Sequence, residues 1–94
     1  MVIKMNPKLK DEYVDFLFKA ILSLETEEEC YRFFEDLCTE REIEQMAQRI
    51  RAAELLLDGK TYNQVKEECT ISTATLSRVS RCVQYGKGYS IFLN

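Results

Sequence analysis

Ala74, Ser77, Arg78 and Arg81 recur at the i, i+3, i+4, i+7 spacing of one helix face. At about 100° per residue, Leu76, Val79 and Val83 fall on the opposite side. Alanine and serine let a helix backbone approach another surface closely, and arginine can pair with phosphate or with guanine edges. The segment TYNQVKEECTISTATLSRVSRCVQYG, Thr61 to Gly86, sets a shorter helix and a tight turn ahead of this one. Paired short helices of this kind form a helix-turn-helix, whose second helix reads the DNA major groove. An ordinary solvated face would carry the same residue types, and that alternative stands beside it.

Such a face needs a helix held at a fixed angle, and the sequence supplies the punctuation. Thr61 with Gln64 forms a capping box just after Gly59, which predicts a short helix to about Cys69. Thr70, Ile71 and Ser72 interrupt it, with Ser72 or Thr70 capping the next helix, which should stop near Gly86. Upstream, Leu9, Tyr13, Phe16, Leu17, Ala20, Ile21 and Leu24 predict a first helix from about Lys8 to Leu24, opened by Pro7. Thr26 with Glu29 opens a second, which carries Tyr31, Phe33, Phe34 and Leu37 and is expected to be buried on more than one side. Thr39 with Glu42 opens a long helix to about Leu57, with Ile43, Met46, Ala47, Ile50, Ala53 and Leu57 as its apolar face and Gly59 as its end. No linker rich in Pro, Gly or Ser divides the chain, so a single all-α domain over 1–94 is expected. Within it, 8–58 form a helical dimerisation core and 61–86 the helix-turn-helix. The tail YSIFLN is apolar and too short to assign.

With 94 residues, 46% of them hydrophobic, the chain should fold. A domain of this length buries only about 60–65% of its unfolded surface. The aromatic and aliphatic content of residues 9–57 exceeds what one small monomer needs, which points to a second copy as cover. The net charge of −3 excludes a nonspecific polycation, but the charge is uneven. Nine acids lie between Glu25 and Glu44 against Arg32 and Arg41, whereas Thr70 to Asn94 holds Arg78, Arg81 and Lys87 and no acid. Lys4, Lys8 and Lys10 make the amino terminus basic. No apolar run suits a membrane span or a signal peptide, so a cytoplasmic protein without membrane contact is expected. Cys30, Cys38, Cys69 and Cys82 lack the close pairing of a zinc site, and buried free thiols are expected instead. With no histidine and no glycine-rich phosphate loop, neither an enzyme nor a cofactor is expected.

The order long helix, glycine, paired helices, with the words RIRAAELLLDG and STATLSRVSR, resembles the Trp repressor family over about Phe33 to Gln84. The words ECYRFFEDLCT and AQRIRAAELL make it most similar to the Trp-repressor-like regulators of Gram-positive bacteria. The resemblance implies an intertwined helical homodimer with two DNA-reading heads, binding a palindromic operator on double-stranded DNA, most simply as a transcriptional repressor. By position it assigns base-facing roles to Thr73, Ala74 and Ser77 and phosphate contacts to Asn63, Lys66 and Ser80; Arg81 joins the latter on its own geometry.

Family members that sense tryptophan hold it between two arginines. The matching residues are Arg49 and Arg78, with Thr39 and Thr75 lining the pocket. Two positions depart: Val79 stands where the family has glycine beside the indole, and Cys82 where it has serine near the amino group. A branched side chain in place of empty space, and a thiol in place of a good polar partner, argue against tryptophan and leave only some other amino-acid-like effector. The competing reading is a helical protein-interaction module that docks through the surface around Phe33 and Phe34 and binds no specific DNA.

Overall fold

The computed structural model describes residues 7–93. Lys4 of the basic amino terminus and the Leu9 side chain lie outside the described residues. All regular structure within them is helical: a 3-10 turn at Pro7–Leu9, then α1 (Glu12–Leu22), α2 (Glu27–Leu37), α3 (Glu40–Leu57), α4 (Tyr62–Glu68), α5 (Thr73–Tyr85) and α6 (Gly88–Phe92). The chain forms two compact units, Met1–Leu37 and Cys38–Asn94.

In the amino-terminal unit, α1 starts later than the apolar spacing suggests. Asp11 is its cap, accepting the Val14 N–H at 2.8 Å, so Pro7 opens only the 3-10 turn. Thr26 caps α2 through the Glu29 N–H, and the Glu29 carboxylate returns to the Glu25 N–H at 2.8 Å. Neither helix buries a residue. The expectation that α2 is enclosed on more than one side fails: Tyr31 is 64% exposed and Leu37 50%. Two short helices bury too little area to enclose a core of their own. Phe33 and Phe34 meet edge to face at 5.4 Å between centroids.

The carboxyl-terminal unit has a core. Ala52, Ala53 and Leu55 of α3, Val65 of α4, Cys69 of the turn and Leu76 and Val79 of α5 are buried together, with Ile71, Val83, Tyr89 and Leu93 against them. The side of α3 that is buried differs from the expected stripe. Of that stripe only Ala53 is buried, while Ile50 and Leu57 are 43% and 41% exposed. α3 packs on α5, and Ala52 and Ala53 lie buried in the core that the two helices share.

Both boxes at Thr39–Glu42 and Thr61–Gln64 form reciprocally. At the end of α3, Gly59 has φ +87, donating to the Leu56 carbonyl while Lys60 donates to Leu55. That pair of bonds closes a helix over a left-handed residue, the conformation glycine adopts without penalty. Gly86 serves a different need: a Cβ there would lie 2.7 Å from the Cys82 carbonyl oxygen. All four cysteines are free, but only Cys69 is buried, and Cys30 is exposed. Burial first, and Glu68 second, hold the Cys69 thiol above its ordinary value, which keeps it protonated. Among the described residues no helix is long and apolar enough to cross a membrane.

Candidate nucleic-acid interface

Ser72 opens α5, its hydroxyl accepting the Thr75 N–H at 3.1 Å. From that start the helix separates its sides as the spacing requires. Leu76 and Val79 are 0% and 1% exposed. Thr73, Ala74, Ser77, Arg78 and Arg81 are all exposed. No acidic side chain lies in its first turn. The result is a ridge of small and cationic side chains seated on a packed base. Burying a leucine the size of Leu76 contributes about 1.5–3 kcal/mol, enough to fix the ridge's rotation.

Asn63 and Lys66 of α4 are exposed, and the Lys66 ammonium donates to the Thr73 hydroxyl. Ser80 is placed differently. It is 8% exposed, because its position turns toward the packed side with Leu76, Val79 and Val83. A phosphate contact from Ser80 is therefore withdrawn.

Two residues that the sequence did not single out fix the helix pair. Gln48 of α3 accepts the Thr70 N–H in the α4–α5 turn at 2.9 Å. Arg51 reaches Glu68 through Nε at 3.1 Å and Nη2 at 2.7 Å, and also pairs with Glu54. Hydrogen bonds to Glu54 and then Glu68 raise the Arg51 pKa, so the guanidinium charge is held throughout the accessible range. Glu68 sits at the end of α4, where an anion opposes the helix dipole, and Arg51 offsets it. The i, i+3 spacing of Gln48 and Arg51 put them on one side of α3, but no local signal names partners 22 and 17 residues away.

The residues matched to an effector pocket are scattered in burial. Thr39 is the exposed cap of α3, Arg49 is half-buried and Arg78 exposed. The Thr75 hydroxyl accepts from Ser72 at 2.9 Å. Cys82 is half-buried and Val79 belongs to the core. An open hollow of about 700 Å³, lined by Arg51, Leu55, Lys60, Glu68 and Phe92 among others, includes none of them. Among the described residues no group of His, Cys, Asp or Glu is placed to hold a metal ion.

An acid-free, arginine-bearing helix displayed over a packed helical support has the charge and shape to lie against a polyanion. The sequence profile of the Trp repressor protein matches residues 12–94. The uncharacterized Bacillus subtilis (strain 168) protein YerC is 53% identical over 79 residues, 84% of this chain and 76% of that protein. A Trp-repressor candidate from Staphylococcus aureus superposes with a TM-score of 0.87 at 47% identity, covering 92% of this chain and 87% of the other. A TrpR-like protein from Eubacterium eligens ATCC 27750 gives 0.86 at 47% identity, covering 92% and 90%. The chain belongs to the Trp repressor family. Membership points to a DNA-binding regulator and away from an enzyme.

Proposed function

We propose that the protein is a cytoplasmic, sequence-specific transcriptional repressor that binds a palindromic operator as a homodimer, with α4 and α5 as its helix-turn-helix. The observation that carries this reading is the exposed face of α5, where Thr73, Ala74, Ser77, Arg78 and Arg81 stand opposite a fully packed side. Thr73, Ala74 and Ser77 face base edges, and Asn63 and Arg81 contact phosphate. The two-fold arrangement rests on exposed apolar residues such as Tyr13, Phe16 and Leu22, at 81%, 74% and 83%, which a second copy would cover. Residues 8–58 supply that dimerisation surface within a single functional domain.

Val79 in the core, where an indole would need space, supports a regulator that takes no tryptophan; saturable micromolar heat on titrating tryptophan would contradict this. The central test is a mobility shift at about 150 mM salt, near which nonspecific electrostatic binding is weak. A fragment carrying the protein's own promoter should bind far more tightly than random duplex. Equal binding defeats the reading and favours a protein-interaction module instead.

A further inference from the structure

A lysine ammonium carries donors only, so in the contact between Lys66 and Thr73 the hydroxyl oxygen is the acceptor. The Thr73 proton is thereby left to donate elsewhere, next to the remaining Lys66 N–H groups. Both side chains are exposed, and Thr73 begins α5, the end from which a recognition helix touches bases. Resting on the DNA-binding reading above, we propose that Lys66 and Thr73 act as one donor pair that selects a guanine in each half-site, so that Lys66 serves base reading and not a phosphate.

The base follows from the groove chemistry. Guanine presents two neighbouring acceptors, O6 and N7, whereas adenine sets an amino donor beside its N7, cytosine presents a donor, and thymine offers one acceptor beside a methyl group. A cationic donor next to a hydroxyl donor matches the first best, because both of its groups accept and one of them can take the charged donor. The surroundings favour it: no acid follows Glu68 in the sequence, and Glu68 itself is drawn onto Arg51. The positive end of the α5 dipole adds to the attraction for acceptors.

The test is selection from a random duplex pool with the wild type, Lys66→Met, Thr73→Val and the double variant, followed by binding to the selected operator with 7-deazaguanine or inosine in place of the preferred guanine. The wild type should enrich guanine at one position per half-site. Each single variant should lose that preference at the same position, and the double variant should be no worse than either. 7-Deazaguanine, which lacks N7, should weaken wild-type binding roughly five- to a hundredfold and leave Lys66→Met unaffected; inosine, unchanged in the major groove, should have no effect. The proposal is overturned if Lys66→Met weakens all sequences alike, keeps the guanine preference and lowers the salt slope by about one, the mark of a phosphate contact. Enrichment without guanine at a position sensitive to these variants also overturns it while sparing the repressor reading. No enrichment by the wild type defeats both.

Discussion

Between Glu12 and Leu37 no residue is buried, although Tyr13, Phe16, Phe18, Leu22 and Tyr31 lie there. From Cys38 onward Ala52, Ala53, Val65 and Leu76 are at 0% exposure. Both stretches are helical and similarly capped, so local signals do not separate them; the presence of a packed interior does. Helix propensity and caps shape a segment, while apolar burial stabilises it. The later unit can hold a reading face rigid because it has that interior, and the earlier one displays surface that a dimer would consume.

The sharpest contrast comes from truncating a core residue. Leu76→Ala should cost about 2–5 kcal/mol, read as a lower urea midpoint with an unchanged slope. The loss should be similar at all protein concentrations, because Leu76 packs within its own unit. A cost below about 1 kcal/mol would deny that unit a well-packed core.

The two sides of α5 allow the same comparison within one helix. Ala74 is exposed on the side opposite Leu76. Ala74→Glu adds bulk and negative charge there, which should cost several kcal/mol of DNA affinity through like-charge repulsion with phosphate. Thermal stability should stay within about 0.5 kcal/mol of the wild type. Unchanged affinity in a mobility shift would remove α5 from the interface.

Phe16 tests the other unit. At 74% exposure, Phe16→Ala should be nearly neutral in an isolated chain. Under a second copy the same change should cost about 1.5–3 kcal/mol and make the melting temperature more concentration-dependent. Sedimentation should then shift toward the 11.0 kDa species. A neutral effect at all concentrations would leave this face without a partner.

Much of this arrangement was legible. The boxes at Thr39 and Thr61, the Gly59 stop and the two-sided pattern of α5 are local chemistry, and local chemistry can be read one residue at a time. What failed was nonlocal. The stripe from Ile43 to Leu57 named an apolar side of α3, yet packing on α5 chose Ala52 and Leu55. Ser80 was matched by position to a phosphate contact, but its rotation places it inside. The links from Gln48 to Thr70 and Arg51 to Glu68 depend on the fold being assembled, so no spacing rule reveals them.

The junction between α3 and α4 gives a smaller effect. A methyl group at Gly59 would meet nothing within 4 Å, so Gly59→Ala isolates the cost of φ +87. That cost should be about 1–2 kcal/mol, or a fall in Tm of roughly 4–8 °C per kcal/mol for a domain of this size. Gly59→Asn should lose less, because asparagine tolerates the left-handed region. Equal losses would mean that something other than backbone conformation matters there.

The smallest predicted effect concerns the start of α3 and depends on pH. The Glu42 carboxylate accepts the Thr39 N–H at 2.8 Å, and that bond, followed by its link to the Thr39 side chain, lowers its pKa from the ordinary 4.5. A group whose folded pKa is depressed contributes stability in full above its unfolded value, and loses it as the pH falls through the folded one. Glu42→Ala should therefore be less stable than the wild type at pH 7, with the gap narrowing as the pH drops below 4.5. Thr39→Ala removes the hydroxyl but keeps the backbone N–H that is the larger cause of the lowered pKa, so it should reduce that narrowing without abolishing it, while costing about 1 kcal/mol through the lost cap. A gap between Glu42→Ala and the wild type that stays constant from pH 7 to well below 4.5 would show that the bonds at Thr39 do not stabilise the Glu42 carboxylate.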